Sequence, residues 1–325
     1  MPRSAADALR ITDGWILEQR GRRNPVDPLL PYTKTVERER TRDGRIEDVA
    51  TVFITNKECP FRCLMCDLWQ NTTTRRVPDG AVARQIEWAL GRLPPARHVK
   101  LYNAGSFFDR QAIPRGDWPR IAELLSPLRT VIVESHPKLI DESCDEFAQM
   151  LDPQLQVAMG LETVDPKVLP RLNKRMTSDD FERATRFLTG HAIDTRAFIL
   201  LRTPFQSEQQ GVEWAMRSID YAFGAGVECC VVIPTRAGNG AMDVLLAAGQ
   251  FAPPTLSNLE EVLDYGISLR AGRVFADLWD IEKFYSCTTC GPSRKERLNQ
   301  MNLTQQVLPT IPCECNSGRQ HAARG

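Results

Sequence analysis

From about residue 49 to residue 234, short apolar runs rich in β-branched residues alternate with longer stretches whose apolar residues recur at helical spacing. The runs Val49–Thr55, His98–Asn103, Thr130–Ser135, Gln156–Glu162, Arg196–Leu201 and Cys229–Pro234 predict strands. The amphipathic stretches Asp79–Leu93, Trp118–Leu125, Ile140–Leu151, Ser178–Thr189 and Glu208–Phe223 predict helices between them. Regular alternation implies βαβ units with right-handed crossovers and a parallel sheet. Six repeats are too few for a closed eight-stranded barrel. The predicted fold class is therefore α/β, an open partial (β/α)6 TIM-like barrel, in which active-site residues sit at the C-terminal strand ends.

Both flanks break the pattern. Residues 1–45 read as an N-terminal extension, a helical pattern followed by "NPVDPLLPY", whose prolines exclude continuous helix. The barrel is assigned to 46–240, and 241–325 to a C-terminal segment ending in a cysteine-rich metal site. That segment holds a helix in "PPTLSNLEEVLDYGISL", with Ser257 as its predicted cap. No internal repeat or low-complexity tract is visible.

Charge narrows the function classes. The 325 residues carry 41 basic and 41 acidic side chains, which gives no global signature of a nucleic-acid binder. No apolar run is long enough to span a bilayer, and the charged N-terminus lacks a signal-peptide core. The expectation is a cytoplasmic protein without a membrane partner. In a reducing compartment, closely spaced cysteines point to metal binding or catalysis rather than disulfides. Ten cysteines form two groups, Cys59, Cys63, Cys66 and Cys287, Cys290, Cys313, Cys315. Cys144, Cys229 and Cys230 lie in apolar surroundings and read as buried, inert thiols.

The stretch "NKECPFRCLMCDLW" offers three thiolates just beyond the first predicted strand, with no histidine nearby to complete a structural zinc site. Three cysteines can instead hold a four-iron cluster whose remaining iron is open to a small molecule. The spacing C-x3-C-x2-C in that position resembles the radical S-adenosylmethionine (radical SAM) superfamily. The resemblance implies a [4Fe-4S] cluster on Cys59, Cys63 and Cys66 that cleaves S-adenosylmethionine (SAM) to a 5'-deoxyadenosyl radical. It also implies an electron donor of the flavodoxin or ferredoxin type. Met65 stands where the family usually has an aromatic residue, its adenine contact running through backbone. In "YNAGSFFD", the backbone of Asn103, Ala104 and Gly105 would approach the methionyl amino group, with Ser106 as a polar contact. Glu162, ending "MGLE", matches the polar residue that meets the cofactor's ribose or amino end. Arg202 would pair with its carboxylate, and Ile233 would lie against adenine. Glu134 and His136, in "VESHP", are the candidate catalytic side chains.

The order of segments, from "ESHP" through "GLETVDPKVLPRLNKRMTSDDFERA" and "ILLRTPFQSEQQGVEWAMRSI" to the closing cysteines, is similar to the Elongator-like group. It is most similar to the radical SAM subunit of archaeosine synthase. That family cleaves a lysine adduct on a 7-deazaguanine base in tRNA, with a partner that attaches the lysine. The charge distribution departs from a tRNA binder: residues 1–48 carry ten Lys/Arg against nine Asp/Glu. The local positives Arg20, Arg22, Arg23, Arg75, Arg76, Arg294, Lys295 and Arg297 read as solvated faces. The expected substrate is accordingly a free small metabolite, such as a deazapurine, pterin or natural-product precursor. Modification of tRNA is the alternative, and a noncatalytic binding partner with this fold is a third reading. The C-terminal cysteines, C-x2-C followed by C-x-C, suit a structural zinc or a second iron–sulfur cluster.

Overall fold

A computed structural model describes residues 10–313. Eight strands form one sheet in chain order: β1 (Thr33–Arg40), β2 (Ile46–Ile54), β3 (His98–Asn103), β4 (Thr130–Ser135), β5 (Gln154–Glu162), β6 (Asp194–Leu201), β7 (Cys229–Pro234) and β8 (Arg273–Ala276). β1 pairs antiparallel with β2, and every later pair is parallel. The six predicted strands are β2 to β7, the (β/α)6 core. β1 and β8, from the stretches set apart in sequence as extension and C-terminal segment, extend the same sheet on either edge.

Nine helices are defined among the described residues: α1 (Asp13–Gln19), α2 (Ala81–Leu90), α3 (Trp118–Leu125), α4 (Glu142–Met150), α5 (Ser178–Gly190), α6 (Glu208–Ala225), α7 (Ala241–Ala247), α8 (Leu256–Ser268) and α9 (Gly291–Thr304). Each crossover helix turns an apolar stripe to the sheet, such as Val82, Ile86 and Ala89 of α2 or Phe181 and Leu188 of α5. Full burial of one such large side chain contributes about 1.5–3 kcal/mol. Capping boxes fix the starts of α5 (Thr177, Asp180), α6 (Ser207, Gln210) and α8 (Thr255, Asn258). The predicted cap of α8 is thus corrected from Ser257 to Thr255. Ser257 instead accepts a hydrogen bond from Arg294 at 2.8 Å.

An ionic layer lies inside the curl. Glu39 on β1 meets Lys100 on β3 at 2.5 Å and Arg196 on β6 at 2.5 Å. These strands are not neighbours in the sheet, so the contacts cross the interior. Arg196 also donates to Gln156 at 3.1 Å, Gln156 to Glu228 at 2.9 Å, and Arg273 of β8 forks onto Glu228 with two bonds of 2.7 Å. Burial acts to raise the Glu39 carboxyl, but Arg196 and Lys100 outweigh it and hold it well below the ordinary carboxylate range.

The open seam between β1 and β8 is covered by α9, which packs on both strands. Its side chains complete the free edge of β8. Asn302 accepts from the Ala276 amide and donates to its carbonyl, both at 2.9 Å. Gln305 does the same for Val274, at 2.8 Å each way. Two side-chain amides thereby stand in for a ninth strand and blunt the edge. No helix among the described residues is long and apolar enough to cross a membrane.

Replacing Glu39 by Gln leaves Arg196 and Lys100 buried without their counter-charge, an expected loss of about 3–5 kcal/mol. Because its folded pKa is depressed, the stabilisation from Glu39 is present above the unfolded value near 4.5 and fades as pH falls below it. Thermal melting across acid pH checks both points: E39Q should melt lower at neutral pH and lose less than the wild type on acidification.

Candidate functional site

The cysteine loop leaves the C-terminal end of β2 and is pinned from several sides. The Leu64 amide donates to Leu172 O at 2.9 Å, and Asn173 donates to Arg62 O at 2.7 Å. Asn239 donates to Leu64 O at 2.8 Å and to Cys66 O at 3.1 Å. Beneath the loop, Leu64 is buried in a second apolar cluster with Ile16 of α1 and Met242 and Leu245 of α7, and half-buried Met65 packs on it. Glu58, beside the first cysteine, holds Arg20, Arg23 and Arg62. The N-terminal segment is therefore a brace for this loop.

Opposite the cysteines, the turn after β3 comes as close as backbone can. Gly105 has φ +138°, and a Cβ there would lie 2.9 Å from Cys59 Cβ and 3.3 Å from its sulfur. Only glycine tolerates both conditions. Asn56 clamps the preceding residue, accepting from the Ala104 amide at 3.3 Å and donating to its carbonyl at 3.4 Å. Ser106 is fully buried and bonded to Ser135 Oγ at 2.7 Å, so its hydroxyl is engaged in the wall. The amide of Asn103 donates to Glu134 Oε2 at 3.1 Å. Both polar atoms of the Asn103 side chain are buried with no hydrogen-bond partner among the described residues. A buried amide left with four unmet bonding positions costs several kcal/mol unless a ligand meets it, roughly 1–3 kcal/mol per group.

Charge is concentrated at the end of β5. Its pairing with β6 shifts register between Gly160 and Glu162, and Glu162 takes a positive φ of 65°. Its carboxylate forms a buried ion pair with Lys174 directly over Gly160, where a Cβ would lie 2.1 Å from Glu162 Oε1 and 2.2 Å from Lys174 Nζ. Burial works against the Lys174 charge, but Glu162, Cys63 and Cys59 outweigh it and raise its pKa. Burial pushes the Glu134 carboxyl up to about 8, so it is largely protonated and able to donate at neutral pH. Burial also pushes the three thiols Cys59, Cys63 and Cys66 up to about 12. A bound metal centre would supply the positive charge that their thiolates require.

His136 is held on three sides. Its ring stacks on Phe61 of the cysteine loop at 3.7 Å and 9°. Nε2 lies 3.0 Å from the Lys174 carbonyl and Nδ1 accepts from the Lys138 amide at 3.1 Å, which fixes the neutral Nε2–H tautomer. Burial, with Lys174 and Lys138 adding, lowers its pKa to about 3. Arg202 stands at the end of β6 with φ 57°, and its guanidinium donates to Pro253 O at 2.8 Å. Ile233 pairs with Leu200 near the end of β7, half-buried. The structure thus brings Gly105, Asn103, Glu134 and Glu162 to the cysteine end of the curl, while Arg202 reaches outward to a neighbouring loop. Lys174, Asn56, Asn173 and Asn239 were not legible as site residues. Asn56 adjoins the cysteine motif, Asn173 and Lys174 lie well beyond the end of β5, and Asn239 sits in the loop after β7, where nothing in its neighbours marks it. Cys144, Cys229 and Cys230 are buried as expected.

At the other end of the chain, the sulfurs of Cys287, Cys290 and Cys313 lie within 4.8 Å of one another. No other group of three ligating side chains among the described residues gathers so tightly. Cys315 lies outside the described residues. Tetrahedral zinc with bonds of about 2.3 Å keeps its sulfurs roughly 3.8 Å apart, which suits this triad. A cubane cluster is a body rather than a point and needs its cysteines farther apart, which suits the more open Cys59, Cys63, Cys66 loop. The donor set, the glycine cradle and the unmet Asn103 amide therefore fit a cluster with a small polar ligand on it.

No family model matches the chain. It is 26% identical over 273 residues to archaeosine synthase subunit beta of Methanosarcina acetivorans, covering 78% of this chain and 77% of that protein. An uncharacterized protein of Methanocaldococcus jannaschii is 23% identical over 320 residues, covering 91% of this chain and 87% of that protein. Among solved structures, methylornithine synthase superposes with a TM-score of 0.51 at 14% identity, over 70% of this chain and 64% of that one. The chain therefore shares the partial-barrel α/β fold of methylornithine synthase and is a distant homologue of archaeosine synthase subunit beta.

If the C-terminal cysteines hold zinc, metal analysis should find about one zinc per chain. The zinc should persist when Cys59, Cys63 and Cys66 are replaced by alanine and disappear in C290S, with a lower melting temperature. Iron and sulfide remaining in the triple variant would identify a second cluster instead.

Proposed function

We propose that this protein is a radical SAM enzyme acting on a 7-deazaguanine base in tRNA. The observation that carries the reading is the braced three-cysteine loop facing the Gly105 turn, in a chain homologous to archaeosine synthase subunit beta. Cys59, Cys63 and Cys66 would hold the [4Fe-4S] cluster, and the backbone at Asn103 to Gly105 would face the bound SAM. When bound, the pair supplies a one-electron cleavage of SAM that creates a radical near the substrate. The side chains of the protein do the rest. Asn103 offers its unmet amide to the cofactor, and the Glu162–Lys174 pair sets a fixed dipole beside Cys63. Glu134 presents a neutral carboxyl that can donate a hydrogen bond to substrate or cofactor.

The homology favours tRNA over the free metabolite expected from net charge. Supporting it, Lys57, Arg75, Arg110, Arg171 and Arg202 follow the C-terminal ends of β2, β3, β5 and β6, and none has a carboxylate within ion-pair distance among the described residues. Their neutral partners, such as Pro253 O for Arg202 and Gln111 for Lys57, leave the positive charge uncompensated and able to attract phosphate.

Two measurements test the proposal. Anaerobically reconstituted wild type should cleave SAM to 5'-deoxyadenosine under strong reductant, and C59A/C63A/C66A should lose both iron–sulfur absorbance and cleavage. Mass spectrometry of nucleosides from tRNA carrying the lysine-adducted 7-deazaguanine should then reveal a converted base. Conversion of the free deazapurine with none on the tRNA would overturn the substrate assignment.

A further inference from the structure

Seven large hydrophobic side chains are exposed among the described residues, and Trp279 is the only aromatic one, with half its surface in solvent. It follows the C-terminal end of β8 by three residues, on the same side of the sheet as the cysteine loop. An exposed indole on a loose loop would be unremarkable, but this one stands on fixed backbone. Its amide donates to Asp277 Oδ1 at 3.0 Å, its carbonyl accepts from Arg236, and Arg236 also pairs with Asp277 Oδ2 at 3.0 Å. The Asp277 amide donates to Val232 O of β7 at 2.8 Å. The turn that follows is anchored by buried Ile281 and Phe284. Folding has immobilised the base of an apolar ring without covering it.

The ring also begins a continuous aromatic wall. Trp279 lies 6.1 Å from Phe53, centroid to centroid, and Phe53 lies 5.6 Å from Tyr32. The Tyr32 phenol lies within electrostatic reach of the Glu134, Asp67 and Cys66 side chains, which puts it beside the cysteine loop. The wall therefore runs from the open rim inward to the candidate site. At the rim it is bordered by Arg236, Asp277, Asp280 and Lys283, so its faces are apolar while its edges are polar and charged.

We infer that Trp279 is the stacking platform on which the substrate's nucleobase ring lies as it enters the site. A flat heterocycle needs an apolar face to stack on and hydrogen-bonding groups at its edge, and this rim presents both. An aliphatic ligand would gain nothing from the polar border, and a purely apolar peptide would have to desolvate it. The choice of a nucleobase as the ring rests on the function proposed above; the platform itself rests on the geometry alone.

The test uses 7-deazaguanosine as probe, with ribose as the non-aromatic control, on the full chain. Wild type should bind the nucleoside and not ribose, and its tryptophan emission should be quenched on binding, because the indole and the base are in contact. Isothermal titration should give W279A about a tenfold weaker affinity, the loss of one base–aromatic stack. W279F should retain affinity within about threefold while losing most of the quenching. Circular dichroism and melting of W279A should match wild type, since the ring is half exposed. Equal affinity of W279A and wild type, binding of ribose as well as nucleoside, or no nucleoside binding at all would overturn the inference. The readout involves neither tRNA nor turnover. Failure of tRNA conversion with Trp279-dependent nucleoside binding would therefore sink the function and leave the platform standing, and the reverse result would do the opposite.

Discussion

Glu39 carries a negative charge inside the curl of the sheet, and the cations around it come from strands two to seven places away in sheet order. A parallel sheet curls because its strands twist, but twist alone does not set how far the curl proceeds. The carboxylate does so here by tying β1 to β3 and β6 at once, and Arg273 extends the tie to β8 through Glu228. The energetic balance is that of a buried ionic network: desolvation is costly, and it is offset because Glu39, Arg196, Glu228 and Arg273 each have more than one partner. Lining the floor with charge also keeps the lower half of the interior filled.

A sealed floor puts the burden of precision on the upper loops, which have no sheet partners of their own. The cysteine loop solves this by borrowing order from four other parts of the chain. α1 and α7 supply an apolar bed, Asn239 and Asn173 hold its carbonyls, and the His136–Phe61 stack fixes its outer turn. Gly105 then approaches Cys59 from the adjacent strand end, so the loop cannot drift without a backbone clash. Loops that hold reactive centres on rigid strands are where function concentrates in barrels, and here the rigidity is imported from outside the barrel.

What the sequence made legible follows from how each element is buried. β3, β4 and β7 are mostly buried on both faces, β4 and β7 with near-continuous apolar runs and β3 with apolar residues set among buried His98 and Lys100, and their limits were read residue for residue. β1, "TKTVERER", hides its purpose because the residue it turns inward is a glutamate rather than an aliphatic. Its alternation is therefore invisible to a hydrophobic pattern. β8 has four residues and offers too little pattern to count. At α8 the sequence pointed to Ser257 as cap, but Thr255 and Asn258 form the capping box, while Arg294 of α9 holds Ser257 and Glu260. The cysteine spacing was readable because a cluster needs its ligands close in sequence. Lys174 was not, because an ion pair needs its partners close only in space.

The same distinction governs the charge argument. Arg20, Arg23, Arg76, Arg294, Lys295 and Arg297 stand close together along the chain and look like patches, yet each is matched to a carboxylate and serves the fold. Lys57, Arg75, Arg110, Arg171 and Arg202 are scattered in sequence, and the topology delivers them to one end of the sheet because each follows a strand. Net charge counts both sets alike. Under the proposed function, phosphate recognition would draw on the second set, since a cation already neutralised by a neighbouring carboxylate releases no counterion from a nucleic acid. A chain with zero net charge can therefore present a basic rim, provided its acidic residues are spent elsewhere. In this fold many are spent on the floor, on the helix caps and on the brace around Glu58, and those left at the rim, Asp277 and Asp280, are paired with Arg236 and Lys283.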